Sequence, residues 1–92
     1  MPEFLVEVYV PTAAASSAFP SPEDLSAAAE QLTREGTRVQ LVRSILVPED
    51  ETCFYLFQAR SGDAVRETAA RVGLQFERVV EAAADWGAFR HE

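Results

Sequence analysis

RVQLVRSILV at residues 38–47, PEDE at 48–51 and TCFYLFQA at 52–59 occupy the middle of this chain. The outer two runs are rich in β-branched and aromatic side chains. Between them Pro48-Glu49-Asp50-Glu51 offers a proline and three solvated carboxylates, a turn and not a strand. This stretch predicts a β-hairpin, Arg38–Val47 followed by Thr52–Ala59. Helix signals flank it on both sides. Upstream, Ser21-Pro22-Glu23-Asp24 supplies a capping serine, a proline for the first helical position and two acids for the first turn. Leu25, Ala28, Ala29 and Leu32 then follow helical spacing, and Gly36 stops a helix predicted over Pro22–Glu35. Downstream, Ser61 caps, Asp63 favours the positive helix end, and Val65, Ala69 and Val72 face inward over Gly62–Val72 before Gly73. One strand-like run remains at each end, Glu3–Val10 and Gln75–Ala82. The order is strand, helix, strand, strand, helix, strand: two βαβ-like halves that predict a ferredoxin-like α+β sandwich. Its four-stranded antiparallel sheet has the order four-one-three-two, with both helices on one face. The other face is left for a partner, so a homodimer joined through the sheet, a dimeric α/β barrel, is expected.

The bulk numbers agree with one small domain. Ninety-two residues, 48% hydrophobic and 25% charged, describe a globular chain and not a disordered one. Residues 1–82 form the predicted domain and 83–92 a tail, in which Trp86 and Phe89 suggest docking. No apolar run approaches the ~20 residues of a membrane span. Met1-Pro2-Glu3-Phe4 does not open a secretory signal. Cys53 is the single cysteine, so no intrachain disulfide forms, and a reducing, bacterial-type cytoplasm is expected. Fifteen acids against eight arginines, with no lysine, give a net charge of −7. That balance opposes nucleic acid and anionic membranes.

Chemistry is expected on the uncovered face. In Glu3–Val10, Phe4, Val6, Val8 and Val10 make one apolar side, and Leu5, Glu7 and Tyr9 the other. An unpaired charge midway along a central strand is costly to bury, which turns Glu7 to the open face with Leu5 and Tyr9. Strand three neighbours strand one, which brings Tyr55 and Phe57 close, with Cys53 nearby. Glu81 flanks strand one from strand four. A four-residue turn sets Ser44 opposite Tyr55 and a three-residue turn sets Arg43 there; a one-residue slip exchanges faces. Pairing with Glu7 favours Arg43 on the face that holds Glu7.

These residues frame two readings of a pocket, beside a third in which the exposed sheet face of a structural or regulatory protein meets another protein. In one, a homodimer encloses a small-molecule pocket lined by Tyr9, Ser44, Cys53, Phe57 and Glu81, gated by the Thr12–Pro20 loop with Phe19 as its anchor. In the other, the same pocket is a small cofactor-independent enzyme of isomerase, cyclase or monooxygenase type. Glu7 is then the acid/base, with Arg43 and Tyr55 as oxyanion or carboxylate partners. No phosphate-cradling glycine loop and no paired Cys or His spacing is present, so no cofactor and no metal ligand is assigned. Glu67 and Arg71 are spaced for a surface ion pair.

Three motifs carry a resemblance: Phe4-Leu5-Val6-Glu7, then Arg43-Ser44-Ile45 with Pro48-Glu49-Asp50-Glu51-Thr52-Cys53-Phe54, and Arg78-Val79-Val80-Glu81. Over about residues 3–82 the chain resembles a small bacterial family labelled nickel-binding or of unknown function. The resemblance implies a ferredoxin-like fold, a dimer through the sheet and, in metal-binding members, nickel held by histidines near the subunit interface. Here strand one reads Glu7-Val8-Tyr9 and the second helix has no histidine. The single His91 lies outside the match, so the nickel site is not carried over.

Overall fold

The computed structural model describes residues 1–11 and 20–82. Among them β1 runs Glu3–Tyr9, α1 Pro22–Arg34, β2 Val39–Val47, β3 Thr52–Ala59, α2 Gly62–Arg71 and β4 Arg78–Ala82. The strands form one antiparallel sheet in the order β2-β3-β1-β4, the expected order read from the opposite edge. The expected lid at Thr12–Pro20 falls almost wholly outside the described residues. So does the tail with Trp86, Phe89 and His91.

Local chemistry accounts for the elements. Ser21 accepts a hydrogen bond from the Asp24 N–H at 3.1 Å while the Asp24 carboxylate accepts one from the Ser21 N–H at 3.2 Å, a reciprocal cap. The Ser61 hydroxyl accepts from the Ala64 N–H at 3.3 Å and starts α2. Past the two helices, Gly36 and Gly73 take φ of 106° and 71°, where a β-carbon would be strained. Between β2 and β3, Pro48–Asp50 form a single 3-10 turn, and Glu51 follows in the left-handed region at φ 50°.

Both helices pack on the same side of the sheet. Leu25, Ala29, Leu32, Ala64, Val65 and Ala69 share one core with Val6, Val8, Val39, Cys53, Tyr55, Phe57 and Ala59. Thr68, at 0% exposure, joins them because its hydroxyl donates to the Ala64 carbonyl at 2.9 Å. The last strand departs from expectation. β4 begins at Arg78 and not at Gln75, because Leu74 is buried in the core and Phe76 packs against it. Ladder pairing is announced only by the Glu77 N–H, which donates to the Glu7 carbonyl at 2.7 Å.

Candidate functional site

Cross-strand register sorts the side chains by face, because directly opposed residues in an antiparallel sheet point the same way. On the side away from the helices three rows run across the sheet. Ile45, Phe54, Glu7 and Arg78 form one. Arg43, Leu56, Leu5 and Val80 form the next, and Gln40, Gln58, Glu3 and Ala82 the third. Val47, Thr52 and Tyr9 continue the surface at one end. Leu5, Phe54, Leu56 and Val80 are only half-buried here, since neither described helix covers them.

Glu7 stands in the middle of this apolar surface, as expected, but its partner is a different arginine. Arg78 Nε donates to Glu7 Oε1 at 2.8 Å. Arg43 does share the open face with Glu7, one row away, and has no side-chain partner among the described residues. Sequence reasoning missed Arg78. Its signal was the start of β4: with the strand placed from Gln75, nothing singled out the residue opposite Glu7. Tyr9 is 52% exposed, with its hydroxyl 3.5 Å from a Glu51 carboxylate oxygen. Glu3 lies 3.4 Å from the Gln58 amide nitrogen.

The rest of the anticipated set lies on the opposite face. Ser44 does sit opposite Tyr55, as the four-residue turn requires, and Tyr55 is opposite Val6. That row faces the helices. Tyr55, Cys53 and Phe57 are buried in the core. Burial, reinforced by the neighbouring Cys53 thiol, pushes the Tyr55 phenol well above its ordinary value. Glu81 is opposite Phe4, exposed on the helix side of the sheet edge. The sheet therefore separates Tyr55, Cys53, Phe57, Ser44 and Glu81 from Glu7, Tyr9 and Arg43. Only the last three share a surface, joined there by Arg78. Parity on β3 accounts for Tyr55, Cys53 and Phe57, since strand one's even residues face the helices and so do strand three's odd ones; Ser44 and Glu81 follow from their places opposite Tyr55 and Phe4.

The donor set for nickel can be tested directly. No group of three or more His, Cys, Asp or Glu able to hold a metal ion occurs among the described residues. The one cysteine is buried on the helix side, and the open-face carboxylate Glu7 is engaged by Arg78. These side chains do not fit a nickel centre, which takes imidazole or thiolate in preference to isolated carboxylates. No described helix is long and apolar enough to cross a membrane.

Residues 4–82 match the family described as nickel responsive protein, SCO4226-like. No curated protein and no solved structure is similar enough to count as a match. The family match spans most of the chain, and the chain belongs to that family.

Proposed function

We propose that this member of the SCO4226-like nickel responsive family works as a homodimer joined through the open sheet face. Between the two sheets it binds a small organic anion with an apolar body. One observation carries this reading: the Glu7–Arg78 pair sits among Leu5, Ile45, Phe54, Leu56 and Val80 on the open face, with Arg43 beside it and without a side-chain partner among the described residues. A second copy laid on that face removes the apolar side chains from water. The polar groups then orient a ligand, the usual composition of a small-molecule pocket. Arg43 is the cation available for a ligand carboxylate. The family name speaks of nickel, yet the described side chains offer that ion no site, so the pocket is assigned to an organic molecule.

Native mass spectrometry of the purified protein, alone and with added Ni²⁺, tests this reading. A dimer that retains no nickel is the expected result. A monomer overturns the interface. A dimer holding one nickel per subunit overturns the organic-ligand assignment and directs attention to His91. The apolar anion anilinonaphthalene sulfonate then serves as a probe, and Arg43→Ala is expected to weaken its binding by roughly tenfold.

A further inference from the structure

Among the described residues β2 is an edge strand of the sheet, and its outer half is exposed. Val42, Ile45 and Leu46 on this strand are 43%, 46% and 53% exposed. A register irregularity between Leu41 and Arg43 makes Val42 an extra residue against β3. Beside the inner half of the strand lies a groove of about 420 Å³ between α1 and β2. Ala29, Val39 and Leu41 give it apolar walls, and Glu30 and Arg34 stand at its rim.

The arginines add a second, independent observation. Three of those described are engaged: Arg66 by Asp63, Arg71 by Glu35 and Arg78 by Glu7. Arg38, Arg43 and Arg60 make no side-chain hydrogen bond or ion pair among the described residues; Arg34 makes none either, but its charge acts on the Glu35 carboxylate. All four belong to β2 or its immediate surroundings. Arg34 is in the last turn of α1, Arg38 precedes β2, and Arg43 is within it. The Arg60 N–H donates to the Arg38 carbonyl at 3.3 Å. In a chain of net charge −7, the described arginines that make no ion pair gather along one sheet edge.

We propose that the β2 edge and the adjoining α1 groove bind an extended acidic segment of another protein, added to the sheet as a fifth strand. Strand addition satisfies the row of N–H and C=O groups that an edge leaves open. Alternate side chains of the added strand fall on opposite faces of the sheet. Apolar ones on the helix side enter the groove, and carboxylates on the other face meet Arg38 and Arg60. A nucleic acid shares the negative charge but has no peptide ladder to offer β2.

The test uses the full chain and a fluorescein-labelled seven-residue peptide in which glutamate and valine alternate. Fluorescence anisotropy is expected to rise saturably. Backbone N-methylation of the peptide valines, or lysine in place of its glutamates, is expected to weaken binding at least tenfold. Arg38→Glu combined with Arg60→Glu is expected to do the same while circular dichroism stays unchanged. Amide NMR shifts are expected along Val39–Val47 and not along Arg78–Ala82. The proposal is overturned by absent saturation, by equal binding of the N-methylated or lysine peptide, or by shifts confined to β4. The titration is made at one fixed protein concentration, because the proposed face-to-face dimer itself reaches Ile45 and Arg43 of β2.

Discussion

Tyr55 carries a phenol into the core, where it is 5% exposed. Water that would solvate a phenolate is excluded, so the folded chain holds the proton at pH values where the unfolded phenol, with an ordinary value of about 10, has lost it. The stability contributed by this group is whole below about pH 10 and drains away as pH rises above it. Tyr55→Phe is therefore expected to remove a distinct alkaline loss of stability. Urea unfolding at pH 8 and near pH 11 checks this: wild type loses more between the two than the variant. Equal losses would show that Tyr55 ionises freely in the fold. The same residue shows why the site was only partly legible. In TCFYLFQA both alternating sets are mixed, Thr52, Phe54, Leu56 and Gln58 against Cys53, Tyr55, Phe57 and Ala59. Neither set declares itself the core by hydropathy, so a tyrosine looked as suited to a pocket as to a core. Glu7 was legible because a charge on a central strand has one affordable direction.

At the scale of elements, Arg71 fastens the two helices to each other. Its guanidinium donates to both Glu35 oxygens, at 2.7 and 2.9 Å, to Gln31 at 3.2 Å and to Glu67 at 3.3 Å. The Glu67 contact was legible from i,i+4 spacing. The contacts to α1 were not, because they depend on how the helices lie side by side. The Arg71 hydrogen bonds hold the Glu35 carboxyl below its usual range, against a smaller opposing effect of desolvation. Such a group contributes stability above its unfolded value of about 4.3 and loses it as pH falls through the lower folded value. Arg71→Ala is expected to be less stable than wild type at pH 7, with the gap narrowing by pH 3. Urea unfolding at the two pH values measures it, and ~1 M NaCl at pH 7 is expected to narrow the gap as well. A gap independent of pH would assign Arg71 a packing role alone.

The whole molecule is asymmetric about its sheet: two helices bury one face, and the other keeps Leu5, Phe54, Leu56 and Val80 half-exposed. Element order made this asymmetry legible, since two crossover helices on one side of four strands leave the second side bare. What covers that side is a property of association, which one chain's periodicity does not encode. The proposed dimer makes a thermodynamic prediction that a monomer does not share. If folding and pairing are coupled, the unfolding midpoint rises with protein concentration, because mass action favours the paired state. Leu56 neighbours Leu5 and Arg43 across its row, so Leu56→Glu sets a new charge in the apolar centre of the face. That variant is expected to sediment as a monomer and to melt at a temperature independent of concentration, with wild-type circular dichroism because the helix-side core is untouched. Should Leu56→Glu fail to fold, Val80→Glu in the same row on the edge strand β4 applies the same test where backbone pairing is shorter. A concentration-independent melt in the wild-type protein would remove the dimer and leave the open face to a different partner.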